Sequence, residues 1–219
     1  MTMTSVNPEH TAAGARAPEV ITLTRRKIDS ILIGVGLLAA VVFVVAGALL
    51  TWGSQFADDY VGDELSSQNI TFPDAEALTA EGRTDLLDFA GQKLDTGDEA
   101  EAYASYINGH LAGIAGGATY AELGGVERAA RGDVTAAVEA GEPQATIDEL
   151  QITADDITDQ RNSLFKGETL RGLLLTAYAW ATVGMIAGYA AIGAFIAAAL
   201  MSVLVALGFI HHRRAASPV

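Results

Sequence analysis

Residues 173–210, LLLTAYAWATVGMIAGYAAIGAFIAAALMSVLVALGFI, run for 38 positions without a charged side chain. A second such run, residues 31–52, ILIGVGLLAAVVFVVAGALLTW, covers 22 positions. At 1.5 Å per residue the shorter run, wound as a helix, is about 33 Å long, enough to cross a hydrocarbon core of roughly 30 Å. The longer would reach about 57 Å, more than one simple crossing needs. Its most continuously apolar part, residues 185–210, is assigned the crossing, and residues 171–184 a pre-membrane helix that packs on protein. Between the runs, residues 53–170 hold 24 Asp+Glu against 6 Lys+Arg.

The sequence therefore predicts an all-α membrane protein, with two transmembrane helices flanking an extracytoplasmic α-helical domain. Residues 1–30 read as a disordered cytoplasmic tail with a basic anchor and residues 211–219 as a second cytoplasmic tail. Residues 31–52 form the first transmembrane helix and 53–170 the acidic outer domain. Orientation follows the basic residues beside the spans. Arg25, Arg26 and Lys27 precede the first, and Arg213 and Arg214, with His211 and His212, follow the second. Both termini are expected in the cytoplasm of a bacterial plasma membrane. Two alternatives stay open at this point. Ala46-Gly47-Ala48 resembles a signal-peptide cleavage site, and the long run could turn back as a hairpin near Gly188 or Gly193.

Other classes are excluded by composition. A formal charge of −14 leaves little to neutralise phosphates, so nucleic acid is not an expected partner. There is no cysteine, so the outer domain has no disulfides. Abundant Ala and Gly with few Lys point to a high-GC bacterium.

The first helix is expected to run on to about residue 67. Trp52, Phe56 and Tyr60 recur every four residues with Leu65 a turn further on, and Trp52 marks the membrane junction. Pro73 then breaks the pattern. Thr96-Gly97-Asp98-Glu99 and Thr119-Tyr120-Ala121-Glu122 are capping boxes that open helices. Gly116-Gly117 stops the first of these. Gly132-Asp133 and Gly141-Glu142-Pro143 read as further breaks, with Pro143 at a first helical position. Thr153-Ala154-Asp155-Asp156 reads as another helix start. No alternating β-branched run argues for a sheet. Large apolar residues are sparse outside the two runs, so the outer domain is expected to lean on the membrane helices or on another chain.

Candidate chemistry is thin. His110 is the only histidine in the expected outer domain, and one imidazole does not make a zinc or iron site. Calcium suits oxygen ligands better, but Asp95–Glu99 lacks the terminal bidentate acid of a calcium loop, and Asp155, Asp156 and Asp159 read as solvated acids at a helix start. No nucleophile elbow or Ser-x-x-Lys is present, and Gly34-Val35-Gly36 lies in an apolar run. Catalytic, cofactor and metal residues are therefore assigned to none. Small residues carry the remaining signal. Gly184 and Gly188 share a helix face that admits a close neighbour, either the first membrane helix, a second copy or another protein. Gly109, Gly113 and Gly117 also sit four apart and imply close helix contact. Glu168 and Arg171 are placed to pair at the junction of outer domain and membrane.

Gly167-Glu168-Thr169-Leu170-Arg171-Gly172-Leu173-Leu174-Leu175 and Ile114-Ala115-Gly116-Gly117-Ala118-Thr119-Tyr120 resemble an uncharacterised family of actinobacterial two-span membrane proteins, often carried under an aromatic ring-opening dioxygenase label. The resemblance covers residues 31 to about 210 and implies a two-span topology. It supplies no catalytic residue, and one histidine outside the membrane does not support iron chemistry. The expected function is that of a non-catalytic accessory or scaffolding subunit of a membrane or envelope complex. Its partners would be the lipid bilayer and either another protein or a second copy. The alternative is an extracytoplasmic binding or sensing module for a cation, a basic protein or an envelope ligand.

Overall fold

The computed structural model describes residues 25–214, with side chains from Lys27 onward. Most of the two expected cytoplasmic tails, residues 1–24 and 215–219, and the side chains of Arg25 and Arg26 lie outside the described residues. Five α-helices follow in order: α1 Arg25–Ser67, α2 Ala75–Ala80, α3 Gly97–Ala112, α4 Tyr120–Ala140 and α5 Gln144–Arg214. Two 3-10 segments, Thr84–Phe89 and Ile114–Gly117, complete the path. Among the described residues extended pairing is limited to one antiparallel bridge, Thr71 with Lys93. The fold is all-α, and two of its helices, Lys27–Ser67 and Gln144–Arg214, are long and apolar enough to cross a membrane.

The chain divides into two compact units. The first is Phe43–Ile196. Here α1 and α5 run antiparallel at close range, because small residues meet. A Cβ on Gly184 would stand 2.8 Å from the Ala57 Cβ, and one on Gly47 would stand 2.9 Å from the ring of Phe195. The second unit takes in the described residues of Met1–Val42 and Ala197–Val219. There a Cβ on Gly36 would stand 2.7 Å from Val205. Behind both lies a seven-residue repeat of small side chains. Ala40, Gly47, Ser54 and Val61 recur on α1, and Gly184, Ala191, Ala198 and Val205 on α5. Such a spacing keeps one seam of a helix facing its neighbour. Ala40, Val61, Ala191 and Ala198 are buried accordingly.

The segment between α1 and α5 shares its core with those two helices. Its main apolar cluster joins Phe72, Leu78, Leu86, Leu94 and Ala100 to Val61 and Leu65 of α1 and Leu174 of α5. Phe72 stacks on Phe89 and meets the edge of Tyr103. A smaller cluster seats Leu111 and Leu123 against Leu164 of α5. Gly97 is the tightest junction here, since a Cβ there would overlap the Ala181 Cβ, and Gly167 likewise leaves room for the Leu111 side chain.

Both capping boxes form. The Glu99 carboxylate accepts from Thr96 N at 2.8 Å while Thr96 Oγ1 accepts from Glu99 N, and Thr119 and Glu122 repeat the arrangement. Gly141 closes α4 in the left-handed conformation at φ 69°. Several expectations are corrected. The first helix does reach Ser67, but it ends in a turn at Gln68-Asn69, well before Pro73. Leu65 is buried and lies off the exposed face of Trp52, Phe56 and Tyr60. α3 ends at Ala112, and Gly116-Gly117 belong to the left-handed part of the following 3-10 turn. α4 passes through Gly132-Asp133 without a break. Pro143 precedes the first helical position of α5, and its carbonyl accepts the opening bond from Thr146 N at 2.9 Å. No helix starts at Thr153, whose hydroxyl instead donates to the Glu149 carbonyl at 3.0 Å inside α5. α5 is also unbroken at Gly188 and Gly193, so the long run is no hairpin.

These packing details set opposite outcomes for two glycine-to-alanine changes. A Cβ on Gly132 would meet nothing within 4 Å, and Gly132→Ala should raise stability by up to ~1 kcal/mol through helix propensity. Gly97→Ala should lower it by about 1–3 kcal/mol, because overpacking against α5 outweighs the same propensity gain. Thermal melting of the purified full chain, followed by circular dichroism, reads both signs.

Candidate functional site

In the first unit three places gather polar groups or open space. The first lies where the 3-10 segment Thr84–Phe89 meets α3. Arg83 donates to both Asp85 carboxylate oxygens, at 3.0 and 2.7 Å, and to the Ser105 carbonyl and hydroxyl at 2.8 and 2.9 Å. The hydrogen bond with Asp85 holds the guanidinium above its ordinary pKa and the carboxyl of Asp85 below its own. A cavity of about 240 Å³ opens beside it, lined by Glu81, Arg83, Tyr106, Gly109 and His110. His110 Nε2 is 3.7 Å from Glu81, and its Nδ1 lies 3.2 Å from the Tyr106 carbonyl. Tyr106 donates to Glu81 at 3.4 Å, and partial burial, then that acid, pushes its phenol up. The cations here already have protein partners, so the arrangement clamps the 3-10 segment to α3.

The second place joins α4 to α5. Arg161 donates to Glu127 at 2.7 Å and lies 4.2 Å over the Tyr120 ring. Glu127 also accepts from Thr158 at 2.9 Å, and Arg131 donates to Thr158 at 2.7 Å. Gly124 leaves space for the guanidinium, since a Cβ there would be 3.3 Å from Arg161 Nη2. The hydrogen bonds from Thr158 and then Arg161 hold the Glu127 carboxyl below its ordinary range. This hydrogen-bond network links α4 to α5 through side chains 27 to 34 positions apart, a pairing no local pattern announces.

The third place is a groove of about 380 Å³ between the C-terminal end of α1 and residues 170–180 of α5. Tyr60, Glu64 and Gln68 border it from α1, and Leu173, Thr176 and Trp180 from α5. Glu64 is its only charged lining residue. Trp52, Phe56 and Tyr60 form an exposed ladder below it, with ring centroids 5.8 and 6.0 Å apart. A smaller cavity of about 230 Å³ lies in the second unit, with Asp29 and His211 among its lining residues.

The residues singled out from sequence fall as follows. Gly184 and Gly188 face α1 at Ala57 and Ser54, the latter with its hydroxyl 3.0 Å from a Cβ on Gly188. Gly109 faces the Arg83 guanidinium at 3.0 Å and not a helix, while Gly113 caps α3 with only its own turn nearby. The close helix contact expected at those two positions occurs instead at Gly97 and Gly167. Glu168 and Arg171 pair at 2.8 Å on α5. Trp52 is exposed. Asp155, Asp156 and Asp159 are exposed in the interior of α5, so they cannot serve a helix N-terminus there. Among the described residues no group of three His, Cys, Asp or Glu is placed to hold a metal ion.

The depressed carboxyls fix a pH dependence. Glu127 and Glu122 have folded-state values below their unfolded ones, so their contribution is complete above the unfolded glutamate value of about 4.3 and is lost as pH falls through the folded values. Glu127→Gln should therefore lower the melting temperature by a few degrees at neutral pH. The gap to the parent protein should close as pH falls below about 4. Melting curves across that range check both the sign and the window. Comparison with protein-family models, with curated proteins and with solved structures found no match for this chain.

Proposed function

We propose that the chain is a non-catalytic integral protein of a bacterial plasma membrane, with residues 53–170 outside. In this reading it acts as an accessory or scaffolding subunit of a membrane or cell-envelope complex. The two long apolar helices support the membrane assignment. Lys27, Arg213 and Arg214, with Arg25 and Arg26, support cytoplasmic termini. The observation that carries the scaffolding role is apolar surface on the acidic outer hairpin of α4 and α5. Val138 and Ile152, on either side of the Gly141–Pro143 turn, are 56% and 63% exposed. They lie outside both charge-free runs, so lipid tails do not account for them, and in this reading a protein partner covers them. A second reading, a binding module for an envelope ligand, draws support from the groove beside Trp180. Its mostly apolar lining fits such a ligand better than a cation.

Two measurements test these statements. Reporters active only in the cytoplasm, fused after residue 24 and after Val219, should both work; a C-terminal fusion active only outside would overturn the topology. Val138→Glu with Ile152→Glu should leave melting unchanged, since both side chains are already solvated, and should deplete proteins that co-purify in mild detergent from the native host. Retention of every such protein by a normally folded double variant would sink the scaffolding role.

A further inference from the structure

Gly188 faces Ser54 and Gly184 faces Ala57, which sets the register of the antiparallel pair. Continuing it by two residues puts Trp52 level with about Ala190. From that level outward α5 carries 17 more charge-free residues, 173–189, a rise of about 26 Å. Over the same stretch α1 carries Asp58, Asp59, Asp63 and Glu64. With the bilayer edge at Trp52, this length of α5 stands above the hydrocarbon. One side of it is used: Leu174, Ala177 and Ala181 cover the main apolar cluster. The other is not: Leu173 is 64% and Trp180 56% exposed, and they border the 380 Å³ groove with Tyr60.

Three features of the groove define an occupant. Its volume lies within the range of roughly 300–1,000 Å³ for small-ligand sites, and its mostly apolar lining with a few polar groups matches their chemistry. On α5 it extends from Leu170 to Trp180, about 15 Å, and a volume of about 380 Å³ over that length leaves a mean cross-section of roughly 25 Å², that of a slot. A helix of about 10 Å diameter is too wide to fill it, whereas a single hydrocarbon chain is not. Glu64, the one charge on the lining, has no ion pair among the described residues and repels an anionic head while attracting an ammonium. The stacked ladder Trp52–Phe56–Tyr60 leads from the assigned bilayer level to the mouth.

We propose that the groove binds one acyl chain of an outer-leaflet phospholipid bearing an ammonium head, drawn up along this ladder. The inference rests on the membrane reading above and names the ligand of its second form. The test uses the full chain in lipid nanodiscs containing phosphatidylethanolamine with a diazirine in one acyl chain, with photolabelled residues mapped by mass spectrometry. Labels should appear in both spans and also at Leu173, Thr176 or Trp180. Thr176→Phe, which fills the slot from its exposed rim, and Leu173→Glu, which charges it, should each abolish the groove labels and keep the span labels. A phosphatidylglycerol probe should label the groove several-fold less. Labels confined to the spans, or groove labels unchanged in both variants or equal with the glycerol head, would overturn the proposal. So would groove residues linked to a second copy of the chain. Loss of labels from the spans themselves would instead overturn the membrane reading.

Discussion

Close approach of α1 and α5 through small residues is the constraint on which the rest depends. Gly184 against Ala57 and Gly47 against Phe195 admit no additional carbon without movement. Two helices that approach this closely gain dispersion contacts along their backbones, which is the main attraction left to helices in an apolar solvent. In water the same seam also removes apolar surface. One repeat would thus serve in either environment, and the segment between α1 and α5 begins from a scaffold already in register.

That scaffold explains how a segment of small residues folds without a core of its own. Val61, Leu65 and Leu174 complete a cluster to which the intervening chain brings only a few large side chains, with Phe72, Leu78, Leu86 and Leu94 closing over them. Polar clamps complete the docking. Arg83 fixes the 3-10 segment to α3, and the Arg161–Glu127 pair fixes α4 to α5. Both guanidiniums lie over glycines, Gly109 and Gly124, where a side chain would displace them. The glycines of the outer segment therefore serve arginines as often as helices.

What the sequence makes legible is local. Thr96 with Glu99, and Thr119 with Glu122, reveal their helix starts because the capping partners are three residues apart. The two apolar runs need only hydropathy and length. Errors arise where a local signal is weak beside packing. Gly132 costs up to about 1 kcal/mol in a helix, and α4 continues through it. Thr153 resembles a cap but satisfies its hydroxyl on Glu149, the alternative open to threonine inside a helix. The spacing of Gly109, Gly113 and Gly117 suggests a packing face, yet a C-cap and a left-handed turn use the latter two. Arg83 with Ser105, 22 residues apart, and Arg161 with Glu127, 34 apart, leave no local trace.

The mismatch between the two apolar runs connects this architecture to the proposed roles. In the membrane reading, helices that served only as anchors would have matching charge-free lengths. α1 instead becomes acidic at Asp58, while its partner stays charge-free up to Leu173. Burial explains part of the excess, because Leu174, Ala177 and Ala181 cover the main cluster. It leaves Leu173, Trp180 and Val183 exposed on the same helix. These exposed apolar side chains, beside a neighbour rich in carboxylates, are the surface that the proposed occupant would cover. An occupant along the groove would remove that apolar area from water while leaving the acidic face of α1 solvated.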